Sequence, residues 1–171
     1  IVFTVANEEK TKKLIQAQKR HMHIGVPGHG IVIAVPIKSV GGGKTVAFLN
    51  GETDNAAYTP SLNYAHELIV AVCSQGCTDM VMNAARAAGA RGGTVLHGKG
   101  TGANGAPKFY NITIAQEKEM ILIVAAASQK TAIMQSILKK AGPDSKAGTI
   151  VFSLPTTQVA GFALLDNQDE T

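Results

Sequence analysis

The sequence is poor in aromatic and charged residues. It contains no tryptophan, and aromatic residues make up 5% and charged residues 16% of its 171 positions. The charged share lies below the roughly 25% of typical soluble domains, whereas the hydrophobic share of 45% is sufficient for a buried core. Aliphatic side chains must therefore fill the interior of one large domain, or of one domain and part of another.

Other scarcities argue against broad classes of protein. Two cysteines do not make a disulfide framework, which favours a reducing compartment and predicts a cytoplasmic protein. No apolar run reaches the roughly 18 residues of a membrane-spanning helix, so no membrane span is expected. The net charge of +4 is mild, and its one dense group of lysines and arginines lies within residues 10–20. A nucleic-acid partner would require a broader basic patch, so none is expected.

Glycine is abundant, with 18 residues, and the chain contains an internal repeat. Residues 121–140 repeat the pattern of residues 1–20, and IVFSLP at 150–155 repeats IVIAVP at 31–36. Each copy is typical of a β-α-β unit, with strands predicted at 1–5 and 29–35 in the first copy. A helix capped by Asn7 is predicted between these two strands. Such registration of strand, helix and strand indicates a duplication.

A further β-α-β unit lies between the copies. A strand is predicted at 67–73, a helix capped by Thr78 and ended by Gly89, and a strand at 94–97. A glycine-rich loop, a strand at 110–114 and the second copy follow. This order predicts the α+β class and a ferredoxin-like β-α-β-β-α-β sandwich, with a second β-α-β half-domain at the N-terminus. The predicted boundaries are 1–43 for the half-domain, 44–65 for a connector, 66–163 for the complete domain and 164–171 for a tail.

The half-domain at 1–43 lacks the partner unit that the second copy has. A fragment with two strands and one helix is too small to bury its own apolar surface. We therefore expect either a further β-α-β unit before Ile1 or a second subunit packed against this segment.

Two sequence patterns resemble phosphate-binding motifs, but the neighbouring residues do not match what each motif requires. Gly100-x-Gly102-x-x-Gly105 follows a strand, but a dinucleotide fingerprint requires a helix next, and the following residues have extended character. Gly43-Lys44-Thr45 resembles the end of a P-loop, but position 38 is lysine where the first glycine is required.

The cysteines and histidines leave a metal or redox site as an alternative. Cys73 and Cys77 lie at a strand end and a helix start, where they could form a redox pair or half of a metal site, but two small packing residues are the favoured interpretation. His21, His23 and His29 form a second group, with no carboxylate or cysteine near in sequence. We predict no metal site, and surface or hydrogen-bonded histidines are the simpler interpretation.

The most informative stretch is GGTVLHGKGTG at 92–102, in which a strand opens into glycines around Lys99. Backbone N–H groups without neighbouring side chains approach phosphates closely, and the lysine adds charge. We expect residues 98–109 to form a mobile loop in the free protein. The candidate ligand-binding residues here are Gly98, Lys99, Gly100, Thr101 and Gly102.

These segments resemble the PII nitrogen-regulatory family. GGTVLHGKGTG is similar to the family's Gly-x-Thr-Val strand and Lys-Gly-x-Gly entry to its long signalling loop, and LKKAGPDSKAGTIVFSL is similar to its later glycine-bearing loop. The resemblance implies that Thr94, Gly148 and Thr149 also belong to the ligand site. It also implies a ferredoxin-like homotrimer, an adenine nucleotide as candidate ligand, and a target protein that the loop engages.

The sequence departs from the family at basic positions. Thr149 stands where the family has a loop lysine, and Val159-Ala160-Gly161-Phe162 replaces an Arg-x-Arg run. These changes remove cations that would neutralise nucleotide phosphates.

Our leading hypothesis is a non-enzymatic signal-transduction regulator of nitrogen metabolism, with a small-molecule effector and a mobile glycine-rich loop that acts on a partner protein. The alternatives are a trimeric metal-binding protein of the CutA type, for which His21, His23, His29 and the two cysteines would matter, and a nucleotide-using enzyme.

Overall fold

The computed structural model describes residues 1–26, 28–37, 61–100, 108–109, 112–113 and 116–161. The protein is of the α+β class, as predicted, and divides into two compact units. One unit comprises Ile1–Asn63 with Thr156–Thr171, and the other comprises Tyr64–Pro155. Residues 44–60 of the predicted connector and the tail at 164–171 lie outside the described residues.

The larger unit is built on a four-stranded sheet. In chain order its elements are β2 (Asn63–Ser74), α2 (Thr78–Ala87), β3 (Thr94–Gly100), β6 (Gln116–Ala126), α3 (Ala127–Ala141) and β7 (Ile150–Thr156). The strands lie in the order β3-β6-β2-β7, and β6 is antiparallel to both β3 and β2. The short strands β4 (Lys108–Phe109) and β5 (Ile112–Thr113) pair separately. The two long central strands are therefore β6 and β2.

Alternation along the strands separates the two faces of this sheet. Ile69, Ile121 and Ile123 lie on one face and are fully buried in a core cluster with residues of both helices. Val81 of α2 and Ile133 of α3 are likewise 0% exposed in that cluster. The opposite face carries the alternate residues of each strand and is also apolar. Its members include Leu68, Val70, Leu96, Met120, Leu122, Val124, Ile150 and Phe152.

Strand β3 is longer than predicted, which corrects the expected loop boundary. Gly98, Lys99 and Gly100 were expected in a mobile loop, but they continue the strand and pair with Lys118, Glu117 and Gln116. The glycines are tolerated here because β6 extends alongside and supplies partners for their backbone. In the rest of the expected loop, residues 101–107 lie outside the described residues, and Lys108–Phe109 form the short strand β4.

The smaller unit contains α1 (Glu8–Met22), β1 (Val32–Ala34) and β8 (Gln158–Ala160). The Asn7 side chain accepts a hydrogen bond from the Lys10 N–H at 2.9 Å and caps α1, as the sequence predicts. Strands β1 and β8 form an antiparallel pair. A small cluster of Ile15, Ile24 and Ala160 supplies the buried residues of this unit.

Residues 1–5 do not form the predicted strand. Ile1, Val2 and Phe3 are 65%, 90% and 78% exposed, and they pair with no other strand among the described residues. Apolar composition is insufficient for a strand because its backbone N–H and C=O groups require a neighbouring strand.

Candidate functional site

The glycine-rich part of β3 lies at one end of the larger unit's sheet. Gly98 is opposite Lys118 of β6, and Lys118 is in turn opposite Ser74 of β2. Because neighbouring strands lie about 4.8 Å apart, these three residues form a row across the sheet. Gly98 thus lies roughly 10 Å from Ser74.

The second predicted ligand-binding segment reaches the same end of the sheet. The Ser74 N–H donates to the Ala147 carbonyl at 2.9 Å, so the turn after α3 continues the row from Ser74. The turn is closed by a hydrogen bond from the Gly148 N–H to the Ser145 carbonyl. Gly148 adopts φ +54°, a left-handed conformation that favours glycine. The structure therefore places Gly98–Gly100 and Gly148 at the same end of the sheet, on opposite sides of its two central strands.

Lys99 is highly exposed and forms an ion pair across the strands. Its Nζ lies 3.5 Å from Oε1 of Glu117, and the two side chains are 69% and 45% exposed. An ion pair this exposed contributes little to stability, about 0–1 kcal/mol. Lys99 therefore remains accessible to an anion, although Glu117 competes for it.

The remaining predicted site residues do not lie exposed beside Gly98–Gly100 or Gly148 in the described structure. Thr94 pairs with Leu122, four residues along β3 from Gly98, which is roughly 13 Å. Thr149 is fully buried, its N–H donates to the Ala141 carbonyl, and its Oγ1 has no hydrogen-bond partner among the described residues. A ligand at the surface would therefore meet Gly148 rather than the Thr149 side chain. Thr101 and Gly102 lie outside the described residues.

A buried carboxylate lies near this end of the sheet. Glu119 is 6% exposed and accepts hydrogen bonds from the Thr78 N–H at 3.1 Å and from the Thr78 hydroxyl at 2.6 Å. The Thr78 hydroxyl, with a backbone hydrogen bond from Gly76, lowers the pKa of Glu119. Thr78 is thus not the helix cap that the sequence suggested. The N-cap residue Cys77 makes no side-chain cap, and the Glu119 carboxylate stabilises the N-terminus of α2 instead.

The two cysteines are packing residues in this structure. Cys73 and Cys77 are free and buried. Burial, with the nearby Glu119 charge, raises the pKa of the Cys73 thiol to about 11, which disfavours the reactive thiolate. Among the residues that the structure describes, no three or more histidine, cysteine, aspartate and glutamate side chains are grouped to hold a metal ion.

Two residues at this end of the sheet were missed by sequence reasoning. Lys118 donates from Nζ to the Ser74 Oγ at 3.3 Å, and both are partly buried. The hydrogen-bonded pair is 44 residues apart in sequence. The only signal was the alternation Glu117-Lys118-Glu119 at the start of β6, which places the lysine on the face opposite the two glutamates.

The larger unit is similar to a known protein family. The profile of the family "Nitrogen regulatory protein P-II" matches residues 66–162, more than half of the chain. The chain belongs to the P-II family. This confirms the resemblance found in the sequence and makes the chain a member of a family of signal-transduction regulators.

One similar solved structure is the P-II protein of Arabidopsis thaliana bound to citrate. The two chains are 21% identical in sequence. Their alignment covers 53% of this chain and 77% of the Arabidopsis chain, with a TM-score of 0.43. Comparison with curated protein sequences gave no match. Within the described parts of this P-II chain, every helix is too short or too polar to cross a membrane.

Proposed function

We propose that this P-II chain is a non-enzymatic regulator of nitrogen metabolism that senses a small anionic effector at the end of the sheet that carries Gly98–Gly100 and Gly148. The observation that supports this most strongly is the row from Gly98 through Lys118 and Ser74 to Ala147, which joins both glycine-bearing segments. The loop that follows β3 would transmit the state of the site to a partner protein in the cytoplasm.

The proposal includes the domain organisation inferred from the repeat. The order β3-β6-β2-β7, with both helices in one core cluster, supports a ferredoxin-like unit over residues 66–163. Residues 1–43 would be the second half of a related domain, joined by a connector at 44–65, with a tail at 164–171.

The opposite face of the sheet supports self-association as a trimer. Met120, Ile150 and Phe152 on this face are 38%, 65% and 43% exposed. Burying such large apolar side chains stabilises an assembly by about 25 cal/mol for each Å² removed from water. Light scattering of the purified chain at micromolar concentration tests this. A stable, monodisperse monomer would contradict it.

A thermal-shift screen against ATP, ADP, AMP and 2-oxoglutarate tests the effector. A ligand at 100 times its Kd stabilises the folded state by about 2.7 kcal/mol, which gives a clear rise in Tm. We expect at least one of these anions, with an adenine nucleotide as first candidate, to raise the Tm. No shift with any of them at millimolar concentration would leave the anion-sensing function without support.

Lys99 should contribute to binding whichever of these anions is found. It is the only lysine or arginine between positions 92 and 107, and a charge-assisted hydrogen bond contributes about 1.5–3 kcal/mol. Lys99→Ala is therefore expected to lower the affinity about tenfold or more in a calorimetric titration. Arg86→Ala, at the exposed C-terminal end of α2, is the matched control and should bind as the wild type does.

A further inference from the structure

The larger unit shows where the strands of a β-α-β segment find their neighbours. It consists of two such segments, β2-α2-β3 and β6-α3-β7, and its strands lie in the order β3-β6-β2-β7. Strand β6 therefore lies between β3 and β2, which both belong to the first segment. Strand β2 likewise lies between β6 and β7, which both belong to the second segment. The first strand of each segment thus pairs only with strands of the other segment.

This order leaves a gap within each segment. The two strands of one segment are separated by one strand of the other, so they lie roughly 10 Å apart and cannot hydrogen-bond to each other. A single segment of this kind therefore needs a second segment before its first strand can pair.

The smaller unit contains one such segment, which we call the N-terminal segment (residues 1–35). It repeats the pattern of β6, α3 and β7, and α1 and α3 each have 15 residues. Among the described residues, β8 is the strand beside β1, and residues 1–5 pair with no strand. The apolar side chains of Ile1, Val2 and Phe3 are accordingly exposed. This is the state that the strand order predicts for a segment without a partner segment.

Helix α1 also carries more apolar surface than the smaller unit buries. Ile15 is buried, whereas the adjacent Leu14 is exposed, as is Met22, which lies seven residues after Ile15 on the same side of the helix. In the larger unit α2 and α3 lie side by side, and Ser136 Oγ donates to the Ala84 carbonyl at 2.7 Å. A second helix placed beside α1 in this way would cover Leu14 and Met22.

Two identical segments can build such a unit because its halves are related by an approximate two-fold rotation. The axis passes between the antiparallel central strands β2 and β6. It exchanges these two strands, the two helices, and the outer strands β3 and β7. A two-fold axis also relates the subunits in the commonest class of homo-oligomer. The partner segment that the topology requires is therefore available from a second copy of this chain.

We propose that the N-terminal segments of two copies of this chain join as a two-fold dimer and complete a ferredoxin-like unit. Residues 1–5 of the two copies pair antiparallel at the centre of a four-stranded sheet, and β1 of each copy lies beside residues 1–5 of the other. The two copies of α1 cover one face of this sheet. At concentrations at which the copies separate, residues 1–5 are exposed as they are in the single chain. This dimer is independent of the effector site and of the trimer proposed for the larger unit.

Sedimentation velocity at micromolar concentration tests the dimer through the number of subunits. We expect an even number in the wild type, whether or not the larger unit forms its trimer, because each dimer joins two copies. Phe3→Pro should halve the molar mass, since a proline has no N–H to donate and is not accommodated in a central strand. Phe3→Val keeps the N–H and favours a strand, so this matched control should retain the mass of the wild type. Circular dichroism establishes that both variants are folded.

Amide exchange over a dilution series tests the pairing directly. The N–H groups of Phe3, Thr4 and Val5 should be protected when the dimer is present and should lose their protection on dilution. The core strands β2 and β6 supply the internal reference, because their protection should not depend on this dimer.

The outcomes separate this dimer from the other proposals. A wild type with three subunits, whose mass Phe3→Pro leaves unchanged, would overturn the dimer and keep the trimer. A stable monomer would overturn both. Protection of residues 3–5 that does not change on dilution would mean that another part of the same chain pairs with them, and this would also overturn the dimer.

Discussion

The first residues of the two copies of the repeated segment differ in structure and in burial. Ile121 and Ile123 lie in the central strand β6 and are fully buried, whereas their counterparts Ile1 and Phe3 are 65% and 78% exposed. The local patterns are alike, but β6 has β3 on one side and β2 on the other. The comparison shows that this apolar pattern specifies a strand only where neighbouring strands are present.

The helices of the two copies differ in the same way. Helix α1 is stabilised by its Asn7 cap and by exposed pairs such as Lys13 with Glu9, and it buries only Ile15. Helix α3 has no side-chain cap at its N-terminus and buries Ile133, Ile137 and Ala141. Lys13 stands where α3 has Ile133. The first copy thus relies on local interactions and the second on tertiary packing.

The sharpest test of this comparison is a pair of truncations at equivalent positions. Ile123→Ala should lower the free energy of unfolding by about 2–5 kcal/mol, because it leaves a cavity in the core. Phe3→Ala should change it by less than about 0.5 kcal/mol, because the ring is exposed. Urea unfolding measures both. Equal losses would mean that Phe3 is buried in the folded protein.

Two adjacent glycines test how tightly the core of the larger unit is packed. A Cβ atom on Gly93 would lie 2.9 Å from Met82 Sδ and 3.0 Å from Ile121 Cγ2, whereas one on Gly92 meets nothing within 4 Å. Gly93→Ala should therefore destabilise the protein by about 1–3 kcal/mol. Gly92→Ala should be neutral or slightly stabilising, since it restricts the unfolded chain. Thermal unfolding measures the Tm of both variants. Equal Tm values would contradict this packing.

A third test removes the charge that caps α2. Glu119→Gln should cost about 1 kcal/mol at pH 7, whereas the exposed Glu117→Gln should have a smaller effect. The folded-state pKa of Glu119 lies below its ordinary value of 4.5, so its stabilising contribution is present above pH 4.5 and is lost as the pH falls through the folded pKa. The difference in free energy of unfolding between wild type and Glu119→Gln should therefore decrease on acidification. A difference that stays constant from pH 7 to pH 3 would contradict the role of the charge.

The smallest effect is expected at the cap of α1. Asn7→Ala should cost about 0.5–1 kcal/mol of local helix stability, because the Lys10 N–H loses its acceptor. Amide exchange should accelerate in the first turn of α1 and remain unchanged in α3, which uses no such cap. Lys10→Ala retains the backbone donor and is the control.

Sequence reasoning identified the elements whose hydrophobic period was clear. It found β2, α2, β6, α3 and β7, together with the Asn7 cap of α1. It missed the extension of β3 through Gly98–Gly100, because glycine indicates a loop unless the partner strand is known. It missed Lys118 and Ser74 for a related reason, since neither forms a motif and only strand pairing brings them together.

The Glu119 cap has a consequence for the order of folding. Asn7 caps α1 from three residues away and can do so in an otherwise unfolded chain, whereas Glu119 reaches Thr78 across 41 residues. The first turn of α2 is thus completed only after β6 has joined β2, and closing that long chain segment must come first. If this contact forms after the transition state, Glu119→Gln will accelerate unfolding while leaving the refolding rate nearly unchanged, which stopped-flow kinetics would reveal.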